Sequence, residues 1–201
     1  MTAAAGLITV RFDLAGSDVG RWYRSAQGAH ASGRPHFSVG RLYTVEDATP
    51  RHLAWYETVD PVRPSEAGAW LSPAARAQVD AAEIMSFALK RDVGDKAADD
   101  TPFLYIVHTD VPDDIVDEYN AWYDEEHLPR LVTVPGVLRA RRYTAVEGHP
   151  RYLTAYALTD KDAFSSPEGL KARKTPWTEK MRSLFSNTRR LMGALAVPGA
   201  G

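Results

Sequence analysis

The sequence contains no cysteine. That single absence excludes a disulfide framework, thiolate-bound zinc, iron–sulfur clusters and a cysteine nucleophile. Long apolar runs are missing too: no segment approaches the roughly eighteen uninterrupted apolar residues that a membrane span needs. The opening MTAAAGLITV has neither the basic stretch nor the apolar length of a secretory signal. A cytoplasmic location and no membrane partner are therefore expected. Charge of one sign is not in excess either. Lys and Arg total 24 against 26 Asp and Glu, and the formal net charge of -2 leaves no global field to draw nucleic acid.

Three chemical signatures are also lacking. There is no glycine-rich phosphate loop, no serine set in a nucleophile elbow, and no pair of histidines at the i, i+4 helical spacing of a zinc motif. His30 and His36 flank Gly33 and Pro35 in loop-like sequence. Neither a metal nor a cofactor is expected on these grounds. What remains, 44% hydrophobic and 25% charged residues, fits a globular chain that buries a real core.

The most informative feature present is a repeat. An ungapped shift of 100 positions lays Trp22–Asp60 on Trp122–Asp160 with eleven identities in 39 positions, among them Trp22/Trp122, Tyr23/Tyr123, Arg41/Arg141, Tyr43/Tyr143 and Tyr56/Tyr156. Average composition would give roughly two. The chain reads as a tandem duplication.

Each copy can be read by its period. In the second, FLYIVHTDV is a strand, apolar on both faces and so in need of cover on both. Ile115, Val116, Tyr119, Trp122 and Tyr123 carry the spacing of one helix face, and Pro129 predicts the end of that helix at about Leu128. VLRARRYTAV and RYLTAYALTD read as two strands. DAFSSPEGLKARKTPWTEKMRSLFSN reads as helix broken at Pro167 and Pro176, and RRLMGALAV as a last strand. The first copy follows the same plan, with GLITVRFDL, a helix around VGRWYRSAQ, strands HFSVGRLYTV and RHLAWYETV, a helix in AARAQVDAAEIM and a strand SFALKRDV. The expected fold is α+β: two tandem ferredoxin-like βαββαβ repeats, 1–94 and 103–201, joined by a polar linker 95–102 and closing into an intrachain pseudo-two-fold α+β barrel.

Chemistry concentrates in WYDEEHLPRL. On the face of Ile115, Tyr119 and Trp122, three-and-four spacing next brings Glu126 and His127 inward. The functional reading makes His127 a general base or acid in a pocket between helix and sheet, because imidazole titrates nearest neutral pH. Glu126 would orient it or pair with Arg141. The competing reading is a histidine that caps helix carbonyls and complements the helix dipole. In the first copy Ala26 and Gln27 stand opposite Glu126 and His127, so the aromatic packing is kept without the titratable pair. Trp122, Tyr123, Tyr143, Tyr156, Arg141 and His108 are candidate substrate contacts: aromatics for packing, tyrosines as hydrogen-bond donors, an arginine fork for a carboxylate, and a strand histidine near the pocket mouth.

NAWYDEEHLPRLVTVPGVLRARRY, Asn120–Tyr143, resembles the helix–turn–strand signature of EthD-like proteins in the dimeric α+β barrel superfamily. The resemblance covers the second copy, and the first only through the repeat. It implies a barrel fold and a range of activities: cofactor-free isomerases, cyclases, lyases and quinone-forming monooxygenases, with haem enzymes on tandem versions. The expectation is a cofactor-independent enzyme moving a proton on a small apolar or aromatic carbonyl-bearing substrate. Alternatives are a cofactorless monooxygenase on a phenol, a haem protein with His127 or His108 as axial ligand, and a non-catalytic ligand carrier. The expected partner is a small molecule, and pairing of chains into a homodimer is left open.

Overall fold

The computed structural model describes residues 4–14 and 18–200. The chain divides into two compact units. One runs to Leu89 and takes in Thr144–Glu147 and the segment from Gly193; the other comprises Lys90–Tyr143 and Gly148–Met192.

In the first unit, strand β1 (Gly6–Leu14) pairs antiparallel with β3 (His52–Thr58), which pairs antiparallel with β2 (Phe37–Val45). Helix α1 lies between β1 and β2 in sequence. It consists of Val19–Trp22, a π-helical turn Tyr23–Gln27, and Gly28–Ser32. After β3 come two short helices, α2 (Pro64–Ala67) and α3 (Pro73–Arg76), each opened by a proline whose missing N–H is not needed in a first turn. Strand β4 (Val79–Gly94) follows. The core of this unit gathers Phe12, Trp22, Tyr56 and Trp70.

The helix expected in AARAQVDAAEIM is largely absent. Only Pro73–Arg76 is helical, and from Val79 the chain is strand, with Val79 paired to Leu14 and Met85 to Thr9. Ala, Glu and Met favour helix by only a few tenths of a kcal/mol each, and a ladder along β1 outweighs that preference.

In the second unit, β5 (Phe103–Asp110) pairs antiparallel with β7 (Tyr152–Leu158) from Phe103↔Leu158 to Thr109↔Tyr152. Strand β6 spans Val137–Ala145. Between β5 and β6, a 3₁₀ turn Asp113–Ile115 leads into helix α4, built from Val116–Trp122, a π-helical turn Tyr123–His127, and Leu128–Leu131. After β7 come α5 (Pro167–Ala172), α6 (Pro176–Ser183) and strand β8 (Ser186–Ala200). Pro167 and Pro176 thus begin helices where the sequence suggested interruptions. Residues 95–102 are pinned to this unit by Arg139, whose guanidinium binds both oxygens of Asp92 at 2.9 Å and donates to Asp99 and the Lys96 carbonyl.

Helix α4 does not stop before Pro129. The Leu128 N–H donates to the Tyr123 carbonyl five residues back, and Pro129 enters as an early residue of the next α turn. The wider π turn relieves the clash that a proline ring makes with a carbonyl four residues earlier.

The strands hydrogen-bond in the closed order β1-β3-β2-β8-β5-β7-β6-β4, an eight-stranded antiparallel barrel. Every residue of β7 is buried, as a strand covered on both faces must be. Among the described residues, no helix is long and apolar enough to cross a membrane.

Candidate active site

The π turn of α4 decides which side chain continues the aromatic face. In a regular α-helix the neighbours of Trp122 one turn on are residues 125 and 126. A π turn brings the fifth residue into that place. His127 therefore lies over Trp122, ring centroids 4.1 Å apart and 29° from parallel, and meets Tyr123 edge-on at 5.2 Å.

Glu126 is turned elsewhere. Its carboxylate accepts from the Thr175 hydroxyl at 2.6 Å and from the Thr178 hydroxyl at 3.5 Å. Thr175 is the N-cap of α6 and also accepts from the Thr178 N–H. The Trp122 indole N–H donates to Thr178 Oγ1 at 3.2 Å. Glu126 thus fastens the start of α6 to α4 and, through Thr178, fixes the indole on which His127 rests. One extra residue in the turn rotates Glu126 off the inward face, toward α6 and away from Arg141.

His127 is 6% exposed, and its Nδ1 is sealed from water without a hydrogen-bond partner. That leaves Nε2 as the nitrogen through which the ring can meet a ligand. Burial pushes its pKa from 6.5 down to about 3, with Arg182 and Arg173 pushing the same way. The imidazole is neutral in ordinary buffers.

The ring borders a cavity of about 100 Å³ that lies wholly within the second unit. Its walls are mostly aromatic: Tyr105, Trp122, Tyr123, Tyr156, Phe164 and Phe185. Tyr156 is fully enclosed, packs edge-on against Phe164 at 5.0 Å, and is held protonated by burial. Tyr123 accepts from the Thr154 hydroxyl at 3.1 Å, which fixes its phenol. Three arginines, Arg173, Arg182 and Arg190, also line the cavity, and no carboxylate does among the described residues.

Of the expected site residues, the fold thus gathers His127, Trp122, Tyr123 and Tyr156. Tyr143, Arg141 and His108 do not join them. Tyr105 and Val107 of β5 line the cavity, so strand alternation turns His108, with Leu104 and Ile106, to the other face. On β6 the arginine against the helix is Arg142, set 4.7 Å from the Tyr119 ring and 4.5 Å from the Tyr123 ring and bonded to Asn120. Arg141 and Tyr143, one residue to either side, therefore point the opposite way. The arginines of the cavity carry no local sequence signal, since α5's end, α6 and β8 supply one each and only folding unites them.

The corresponding place in the first unit is filled. Gln27 is 1% exposed, donates to the Tyr56 hydroxyl at 2.9 Å and to the Trp70 carbonyl, and accepts from the Ser72 N–H at 3.0 Å. Trp70 packs on Tyr56 at 5.5 Å and Phe37 at 6.2 Å. Both donors of this amide and one acceptor site of its oxygen are thus spent within its own unit.

The haem alternative does not fit these residues. His108 faces away from the cavity, and His127 is stacked on Trp122 beside a space far smaller than a tetrapyrrole.

Comparison with known proteins is limited to fold. No family model matches the chain, and no curated protein sequence does. Solved structures do resemble it. An anthrone oxidase-like protein superposes with a TM-score of 0.63 at 9% identity, over 98% of this chain and 92% of that one. A ferredoxin-fold protein related to antibiotic biosynthesis monooxygenases, from Listeria monocytogenes, gives 0.58 at 9% identity, over 96% of each chain. A chlorite dismutase variant from Candidatus Nitrospira defluvii, in complex with cyanide, gives 0.62 at 11% identity, over 97% and 92%.

Proposed function

We propose that the second unit is the working half of a small cofactor-independent enzyme that removes a proton from an aromatic or enolisable carbonyl substrate, with His127 as the base. One observation carries the reading: a buried imidazole whose Nδ1 has no hydrogen-bond partner borders an aromatic cavity. An unprotonated imidazole is a base in the correct state. Its low pKa in the empty cavity reflects burial and two nearby cations. Negative charge developing on a substrate offsets both arginines, raises the imidazole's affinity for the proton, and leaves the imidazolium paired with an enolate or phenolate. The EthD-like character of Asn120–Tyr143 supports the same family of reactions. The 100-residue offset between β2 and β6, β3 and β7, and the two π turns supports tandem duplication, with the histidine of one copy replaced in the other by Gln27, which is bonded to Tyr56 and Trp70.

A second reading keeps the same first step and lets the resulting carbanion or phenolate react with oxygen. The anthrone oxidase-like and monooxygenase-related structures favour it. Oxygen uptake with a phenolic substrate separates the two.

The test follows deuterium exchange at the acidic carbon of small aryl ketones and cyclic enols by NMR. The protein is expected to accelerate exchange, and His127→Gln to remove about 10²–10⁴-fold of the rate. Full exchange by the variant overturns the assignment, and binding without exchange by either protein supports a ligand carrier.

A further inference from the structure

The base faces a cavity, but the cavity's charge is not accounted for by proton removal alone. Arg173, Arg182 and Arg190 converge on it without a lining carboxylate. They are not equivalent. Arg173 donates to the carbonyls of Gly169 and Phe164, and its guanidinium lies 5.8 Å from the Phe164 ring centroid, so it is part of the wall. The side chains of Arg182 and Arg190 make neither a hydrogen bond nor an ion pair among the described residues, and both have exposed surface. Desolvation, with Arg173 and Arg190 close by, makes Arg182 easier to deprotonate than an ordinary arginine. Like charges held together at one opening raise the free energy of the empty site, and an anion at the same place relieves it.

The floor sets the rest of the ligand. Trp122, Tyr156 and Phe164 present ring surface, and about 100 Å³ admits no more than one small ring while the opening leaves room for a substituent. An arginine fork matches a planar carboxylate in bidentate geometry.

We propose that the His127 cavity binds a single-ring aromatic acid, ring inward toward His127 and carboxylate held at the mouth by Arg182 and Arg190. This names the substrate class for the site of the preceding reading and rests on that reading only for turnover, since binding can be measured alone.

The experiment compares 4-hydroxybenzoate with the uncharged 4-hydroxybenzamide by calorimetry or tryptophan fluorescence, at low and high salt. The acid is expected to bind at least about tenfold more tightly, the scale of one charge-assisted contact, and to lose that advantage in salt. In the R182Q/R190Q double variant the acid should fall to the affinity of the amide, while the amide stays within about twofold of its original value. Both arginines are partly exposed and unbonded, so the fold is expected to tolerate the change. R182K/R190K should restore part of the preference. Equal affinities in the unaltered protein, or a preference that survives the double variant, overturns the proposal. His127→Gln separates the two claims: acid preference retained with no His127-dependent chemistry on any substrate leaves the anion site standing and removes the enzyme, whereas His127-dependent exchange without acid preference does the reverse.

Discussion

At the scale of single residues, the chemistry of the site is governed by what His127 is denied. Its Nδ1 has no partner, its ring is stacked on the indole and meets the Tyr123 phenol edge-on, and two guanidinium groups oppose its protonation. The consequence for stability has a definite sign. The folded pKa of about 3 lies below the unfolded value of 6.5, so between these two the unfolded chain binds the extra proton. The stabilising contribution of the neutral ring is complete above 6.5 and is lost as pH falls from 6.5 toward 3. The slope approaches about 1.4 kcal/mol per pH unit, a loss on the order of a few kcal/mol in total. Denaturant unfolding across that range should show the His127→Gln variant losing less stability than the parent. Parallel curves for the two proteins would mean that the imidazole titrates normally. His127 was legible in the sequence because it falls where an aromatic stripe turns polar. Glu126 satisfied the same criterion, and nothing in the residue types distinguishes the two.

At the scale of elements, the π turn makes that distinction. It depends on one residue more than an α turn holds, and its effect is to bring the fifth residue after Trp122 inward. In an E126H/H127Q variant the imidazole should point toward Thr175 and off the indole, because the turn carries the fifth residue after Trp122 inward and the fourth away. The fold is expected to persist, with exchange activity lost and the upfield ring-current shift of the histidine ring protons abolished in the NMR spectrum. Retained activity in this variant would show that the turn positions nothing. Strand and helix signals differed in how well the sequence carried them. Strands β2, β3, β6 and β7 repeat at a fixed offset and alternate, so they could be read directly. The first half of β4 could not, because Ala-, Glu- and Met-rich sequence prefers helix until a partner strand is available. Pro129 misled because a proline stops a helix through its own missing N–H and the clash of its ring with the carbonyl four residues back, and the π turn relieves that clash.

At the scale of the whole molecule, the antiparallel barrel was anticipated from the repeat and from a strand apolar on both faces. The cavity was not. Three arginines from α5's end, α6 and β8 meet only in three dimensions, and the period of a strand or helix says nothing about such a convergence. The asymmetry between the units is likewise a matter of packing: Gln27 is bonded to Tyr56 and Trp70 in the first unit, while the second leaves room beside His127. The likeness to an anthrone oxidase-like protein and to a chlorite dismutase variant is one of fold, and fold by itself does not choose the chemistry of a site. The central claim, that His127 stands uncharged at the edge of a ligand cavity, is tested most directly by following its ring nitrogens by ¹⁵N NMR as pH is lowered, with and without 4-hydroxybenzoate. The account predicts a neutral imidazole down to about 3 in the empty protein and a clear change in its nitrogen shifts when the acid binds. An imidazole that titrates near 6.5 and ignores the ligand would contradict it.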